Sequence, residues 1–317
     1  IQGSITNLEN SSFQISNVLT YAWKNQIHDF TVIAGHEYVD KWSRNFSASA
    51  SQFPNDEIGL SDLSLGVPGV PTSNENYDDK LLSFFGRINY NLMDKYLFTA
   101  SLRTDGSSKF ARGNRWGYFP SISAGWVLTN ESFMPKWNWL DFLKFRASWG
   151  QNGNCNVSTF QYLSLITSNN NYGGYSFGDS MDLISTGSYA YRLTNPDLTW
   201  ETQEQLNIGI DARFFNSRLA VEFDWYNKMT KDWLVTAPVL MSLGADAVFV
   251  NGGNVRNRGF EVALHWNDHI GKDFQYGVNL TLAQNKNEVT KIANADGIIH
   301  GSKSIPWEGA TELFRAE

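Results

Sequence analysis

Phe274-Gln275-Tyr276-Gly277-Val278-Asn279-Leu280-Thr281-Leu282-Ala283 alternates without a break. Phe274, Tyr276, Val278, Leu280 and Leu282 fall on one side of an extended chain, and Gln275, Gly277, Asn279, Thr281 and Ala283 on the other. Successive side chains of a strand point to opposite faces, so this period of two predicts a β-strand with one apolar and one polar face. The pattern recurs. Leu206, Ile208, Ile210, Ala212 and Phe214 oppose Gln205, Asn207, Gly209, Asp211 and Arg213. Leu219, Val221, Phe223 and Trp225 oppose Glu222, Asp224 and Tyr226, and Leu82, Phe84, Ile88 and Tyr90 oppose Ser83, Arg87 and Asn89. About ten strands are expected, near 11–23, 27–39, 80–91, 95–105, 116–128, 143–150, 201–214, 218–230, 256–267 and 273–286. Several run to about a dozen residues, whereas soluble strands usually have about five or six and a tilted bilayer-crossing strand needs about nine to eleven.

The connections alternate in kind. Tight turns are expected near 24–26, 92–94, 215–217 and 267–272, and long polar loops near 40–79, 104–115, 151–200 and 231–255. Antiparallel strands send every second connection to the same side, and outer-membrane barrels keep periplasmic turns short and extracellular loops long. The link at 129–142 departs from this rule, and its Trp137, Trp139, Leu140, Phe142 and Leu143 suggest a brief amphipathic helix at the membrane edge, with the plain role of a packed connector preferred for it. Aromatics gather near strand ends: Tyr21, Trp23, Tyr90, Tyr96, Trp116, Tyr118, Trp126, Trp149 and Trp266. Such rings suit a headgroup layer, where one edge is wet and the body is apolar.

Composition agrees with a wall between lipid and water. Of 317 residues 15% are aromatic, yet only 18% are charged, and the mean hydropathy is −0.35. No stretch approaches the roughly 18 consecutive apolar residues of a membrane-spanning helix, so any span must be a strand. Net charge is −7 with no basic run, which argues against nucleic acid as a partner. Cys155 is the single cysteine and cannot form an intrachain disulfide. The rival architecture is a soluble carbohydrate-binding β-sandwich, which also alternates but with shorter strands and no rule of short and long connections.

Residues 103–126, RTDGSSKFARGNRWGYFPSISAGW, resemble the most recognisable segment of the SusC/RagA family of TonB-dependent outer-membrane transporters. Further matches follow in order: Trp139-Leu140-Asp141-Phe142-Leu143-Lys144, Arg146-Ala147-Ser148-Trp149-Gly150, Asn152-Gly153-Asn154, Asn195-Pro196-Asp197-Leu198, Trp200-Glu201-Thr202, Asn207-Ile208-Gly209-Ile210-Asp211, Tyr226-Asn227-Lys228 and Asn257-Arg258-Gly259-Phe260-Glu261. An ordered set of this length is specific where one short motif is not. The resemblance implies an all-β fold, a transmembrane antiparallel barrel of which these are about ten of about 22 strands. It implies import of an oligosaccharide or peptide, energy from the TonB complex, and a SusD-like surface lipoprotein as partner. Residues 1–317 then read as part of one TonB-dependent receptor β-barrel domain in the bacterial outer membrane, surrounded by outer-membrane lipid. The chain opens at Ile1 without a basic, apolar leader and closes at Glu317, so a fragment is expected, lacking the N-terminal plug and the closing C-terminal strands. A passive porin-type or adhesive barrel is the alternative within the membrane class.

Signals for chemistry are weak. Asp105-Gly106-Ser107-Ser108 lacks the spacing of a phosphate or calcium loop. It reads as a structural hairpin loop, together with Arg103, Gly113, Asn114, Arg115, Trp116 and Gly117. The five histidines offer no metal constellation: His265 and His269 come within reach of one metal ion only if the segment is helical, and His28 and His36 lie over 20 Å apart along a strand at about 3.4 Å per residue. Glu222 and Asp224 share a strand face and invite comparison with the two carboxylates of a glycosidase, but acids are ordinary in an aqueous barrel interior. Neither an enzyme nor a cofactor is expected. The loop at 168–191 differs, because Tyr172, Tyr175, Phe177, Tyr189 and Tyr191 stand among Asn, Gly and Ser. That mixture can stack on a sugar ring or dock a partner while offering hydrogen bonds.

Overall fold

Alternating segments this long can satisfy their backbone groups in a membrane only by pairing with one another, and the chain does this strand by strand in sequence order. A computed structural model describes residues 2–53, 62–168, 174–176, 184–190, 192–237, 244–292, 298–300 and 312–315. Ten long strands form one antiparallel meander: β1 (Gln2–Lys24), β2 (His28–Ser51), β3 (Thr72–Leu92), β4 (Tyr96–Ser107), β5 (Trp116–Val127), β6 (Leu140–Asn154), β7 (Glu201–Phe214), β8 (Leu219–Lys231), β9 (Gly253–Ile270) and β10 (Phe274–Ile292). The two-residue strand Val67–Pro68 pairs with the far end of β2 and completes an eleven-stranded sheet. Among the described residues the sheet is open, with β1 and β10 at its edges.

The register carries each face across the whole wall. One row of partners runs Trp23, Phe30, Tyr90, Phe98, Ala124, Ala147, Ile208, Trp225 and Phe260 before it meets Gln284 on β10. The next row, on the opposite face, runs Ala22, Thr31, Asn89, Thr99, Ser123, Ser148, Asn207, Tyr226, Gly259 and Asn285. Outward and inward positions therefore keep to their own faces from β1 to β10. All nine aromatics named from the sequence as a girdle fall on the apolar face, which no described residue covers: Leu19 is 74% exposed, Leu280 59% and Ile122 58%. A soluble sandwich would bury that face against a second sheet. Here it is the lipid-facing surface.

Short and long connections alternate as expected. Residues 25–27, 93–95, 215–218 and 271–273 make the tight turns, aided by positive φ at Met93, Asp94, Phe215, Asn216, Ser217 and Gly271. The long connections at the other end are 52–71, 108–115, 155–200 and 232–252. They are shorter than the sequence suggests because the strands overrun the apolar band, β1 reaching 23 residues and β2 24.

One expectation fails. The link before β6 holds no amphipathic helix, only a single 3-10 turn at Leu128–Asn130. Leu140, Phe142 and Leu143 belong instead to β6, paired with Phe214, Arg213 and Ala212. The ladder with β7 holds these residues extended down to its end, while Trp137 and Trp139 stack at 5.2 Å and Trp139 lies parallel to Phe214 at 5.9 Å.

Candidate functional site

The polar face forms a wall of fixed charges. Arg146 on β6 donates from Nε to Asp211 Oδ1 at 2.9 Å and from Nη2 to Asp224 Oδ2 at 2.5 Å, and Lys144 reaches Asp211 at 3.3 Å. Gly209, opposite Arg146 in the register, leaves room for the guanidinium to lie flat, since a Cβ there would sit 2.6 Å from Arg146 Cζ. Asp224 is thus committed to an ion pair, which disfavours the glycosidase arrangement considered for it with Glu222. A second knot surrounds Arg103, whose Nε donates to both oxygens of Asp105 at 2.8 and 2.9 Å. Its Nη2 reaches Glu37 Oε2 at 3.2 Å and Ser83 Oγ at 3.0 Å.

Above this wall, at the end with the long connections, lies the apolar core of the described chain: Phe110, Phe119, Val157, Leu198 and Trp200, with Leu81, Cys155, Leu234 and Phe249 against it. Burial pushes the Cys155 thiol up from its ordinary value, so it packs as a small apolar side chain and is a poor nucleophile. The loop after β4 is tied into this core at both ends. Ser107 N–H donates to Arg115 O at 3.0 Å, Ser108 N–H to Lys80 O at 3.0 Å, and Lys80 N–H to Ser108 Oγ at 2.9 Å. Gly113 makes the turn with φ +107°. Arg115 Nε donates to Phe110 O at 3.2 Å, and Trp200 Nε1 to Arg115 O at 2.9 Å. Asn114 Nδ2 donates to Pro196 O at 3.1 Å. On the outer face Trp116 lies over Gly106, where a Cβ would meet its ring at 3.0 Å; Gly117 lets Phe119 and Trp200 approach on the inner face.

Asn251 extends the same network. It accepts from Thr199 N–H at 2.9 Å and donates to Thr199 O at 3.0 Å and Asp232 O at 2.9 Å. Three segments far apart in sequence thus share one core. Sequence reading missed Asn251 and the Arg146 pairs because their partners lie far along the chain, on other connections or strands. The register would have found Arg146, which faces Gly209 two residues from Asp211.

The five aromatics of the 168–191 loop are only partly visible. Tyr172, Phe177 and Tyr191 lie outside the described residues. The backbone of Tyr175 is in the strand Gly174–Ser176, paired with Ile184–Thr186. Tyr189 is in Ser188–Ala190, paired with Ile166–Ser168, and is 37% exposed. Among the described residues no group of three or more His, Cys, Asp and Glu side chains is placed to hold a metal ion.

The family model described as "TonB dependent receptor-like, beta-barrel" matches residues 3–303. The chain belongs to this family. It is similar to the TonB-dependent receptor SusC of Bacteroides thetaiotaomicron, with 37% identity over 68% of this chain and 21% of that protein. TonB-dependent receptor P3 of Formosa agariphila is 30% identical over 89% of this chain and 28% of that one. Among solved structures, the RagAB peptide transporter superposes with a TM-score of 0.82 at 28% identity, covering 95% of this chain and 32% of that chain. This SusC/RagA-like barrel wall therefore spans less than a third of the length of these relatives, and its place is the bacterial outer membrane.

Proposed function

We propose that these ten strands are part of the wall of a TonB-dependent importer that takes up an oligosaccharide or peptide together with a SusD-like surface lipoprotein. The observation that carries this reading is the joint similarity to SusC and to a peptide transporter over most of the chain. The polar inner face supports it, since a solute crossing such a barrel meets hydroxyls, amides and paired charges there. In this reading the wall performs no catalysis, and the end of β4, with Arg103, Asp105 and Ser107 turned inward, together with the loop that follows it, is scaffold holding the long connections in place. The rings at 168–191 are the first contact for substrate or lipoprotein. The test is growth on the cognate oligosaccharide or peptide by cells carrying the whole receptor, with and without TonB. Uptake that stops without TonB is expected. Uptake that continues would identify a passive pore and overturn the reading.

A further inference from the structure

The outward rim beside the long connections is chemically uneven. On β2 to β7 its members are aromatic, neutral or paired, as with Trp116 and Tyr118, Lys80 with Asp40 at 3.9 Å, and Glu204 with Lys231. On β9 and β10 the outward series passes from Phe260 and Leu282 to Arg258, Arg256 and Lys286. Arg256 Nη2 is neutralised by Glu288, 3.0 Å from each carboxylate oxygen. Arg258 and Lys286 face each other as direct partners in the ladder, both exposed, and among the described residues neither has a hydrogen-bond partner or a carboxylate within ion-pair distance, Glu288 acting on them only through space.

Like charges directly opposite across an antiparallel pair repel. Their row continues to Asn227 on β8, and the next outward position below Lys286 is Gln284, so neither neighbour offsets them. The carboxylate one outward position above, Glu288, is bidentate to Arg256 and reaches Arg258 and Lys286 only through space, so one negative charge faces three positive ones. Depth supplies the second constraint. Phe260 lies one outward position below Arg258, about 7 Å along the strand, and the apolar band begins there. Two cations just beyond hydrocarbon, on the side of the extracellular loops, sit where lipid phosphates lie. Basic residues at such a surface each add about 1 kcal/mol of attraction to anionic lipid.

We propose that Arg258 and Lys286 form a site for the phosphate of an anionic outer-leaflet lipid, whose acyl chains run down the apolar face over Phe260, Trp225 and Leu282. A lipid is favoured over free phosphate because the apolar surface continues directly beneath the cations. The proposal needs only the outer-membrane location and the face assignment, and it stands apart from the identity of the imported solute.

The test uses the whole receptor in neutral detergent, mixed in turn with phosphatidylglycerol, phosphatidylcholine and inorganic phosphate. Bound lipid is counted by native mass spectrometry, and unfolding temperature is read in parallel. Phosphatidylglycerol should be retained and should raise the unfolding temperature. The double variant Arg258→Gln, Lys286→Gln should bind it about thirtyfold more weakly, about fivefold for each cation, and Lys286→Arg should bind it normally. Without lipid, the double variant should unfold at or above the temperature of the unaltered protein, because the repulsion is gone. Four results would overturn the proposal: equal retention by the double variant, an equal response to phosphatidylcholine, an equal response to inorganic phosphate, or lower stability of the double variant in neutral detergent.

Discussion

Leu280 offers the sharpest test of which face meets lipid. Along β10 the outward residues are Tyr276, Val278, Leu280, Leu282, Gln284 and Lys286. Tyr276 and Lys286 are ten positions apart, about 34 Å along a strand at about 3.4 Å per residue. A strand tilted by about 40–45° projects that length onto about 25 Å of membrane normal, the height of the apolar band of such barrels. The midpoint falls beside Leu280, which the protein leaves 59% exposed. Leu280→Arg in the whole receptor should therefore cost about 2–4 kcal/mol. Asn279, one residue away, points to the aqueous face, where its Oδ1 lies 2.9 Å from His265 Nδ1. Asn279→Arg loses that bond and keeps its charge in water, a cost of about 1 kcal/mol. Urea titrations of folding into phospholipid vesicles measure both. Equal costs, or a larger cost for Asn279→Arg, would refute the face assignment.

Three further outcomes are expected. Glu131, beyond the end of β5, accepts hydrogen bonds from Tyr96 Oη at 2.6 Å, Trp126 Nε1 at 3.0 Å and Lys95 Nζ at 3.1 Å, which hold its carboxyl at about 2 instead of the ordinary 4.5. The folded state thus favours the charged form. Its contribution is complete above about 4.5 and is lost as pH falls towards about 2, so the stability gap between the unaltered protein and Glu131→Gln should close across that window; a gap independent of pH would contradict this. Gly153→Ala should cost about 1–3 kcal/mol by overpacking, since its Cβ would fall 1.9 Å from Phe119 Cζ while Trp200 holds that ring edge-on at 5.5 Å; Phe119→Leu in the same chain should recover part of the loss in the same titration. Changing Tyr172, Tyr175 and Phe177 together to Ala should weaken uptake or lipoprotein pull-down while heat-modifiable migration stays normal. Unchanged uptake and docking would make the loop packing only, and failed assembly would assign the rings to the fold.

The strands are legible wherever lipid lies on one side of them. β7 begins and ends at the residues expected, Glu201 and Phe214, because its outward positions from Leu206 to Phe214 are all apolar while each inward one tolerates water. The same logic loses the first nine residues of β1 and the last twelve of β2, Asp40 to Ser51. There no lipid imposes an apolar face, and the sequence QGSITNLEN has no alternation to read. What keeps those stretches extended is the ladder itself, Gln2 paired with Ser51 and so on without a shift to Lys24 and Asp29. The error at 129–142 has the opposite origin. Aromatic and leucine side chains dense enough to suggest an amphipathic helix are the start of a strand whose partner, β7, lies some sixty residues on.

The same separation explains what can be read of the site. Motifs such as Asn195-Pro196-Asp197-Leu198 and Trp200-Glu201-Thr202 stand out as text, but their physical reason appears only when Trp200 Nε1 is seen on Arg115 O and Asn114 on Pro196 O. Trp200 caps a core built from the loops after β4, β6 and β8, so its indole must both fill apolar space beside Phe110, at 5.3 Å, and satisfy a carbonyl. Few side chains do both. Outward rows behave differently, because alternation alone assigns a face to each strand in turn. Arg258 is outward by its own parity with Phe260, and Lys286 by parity with Leu282; only their being opposite each other needs the register. Features read by parity are thus recoverable from sequence, and features made by loops meeting across the barrel mouth are not.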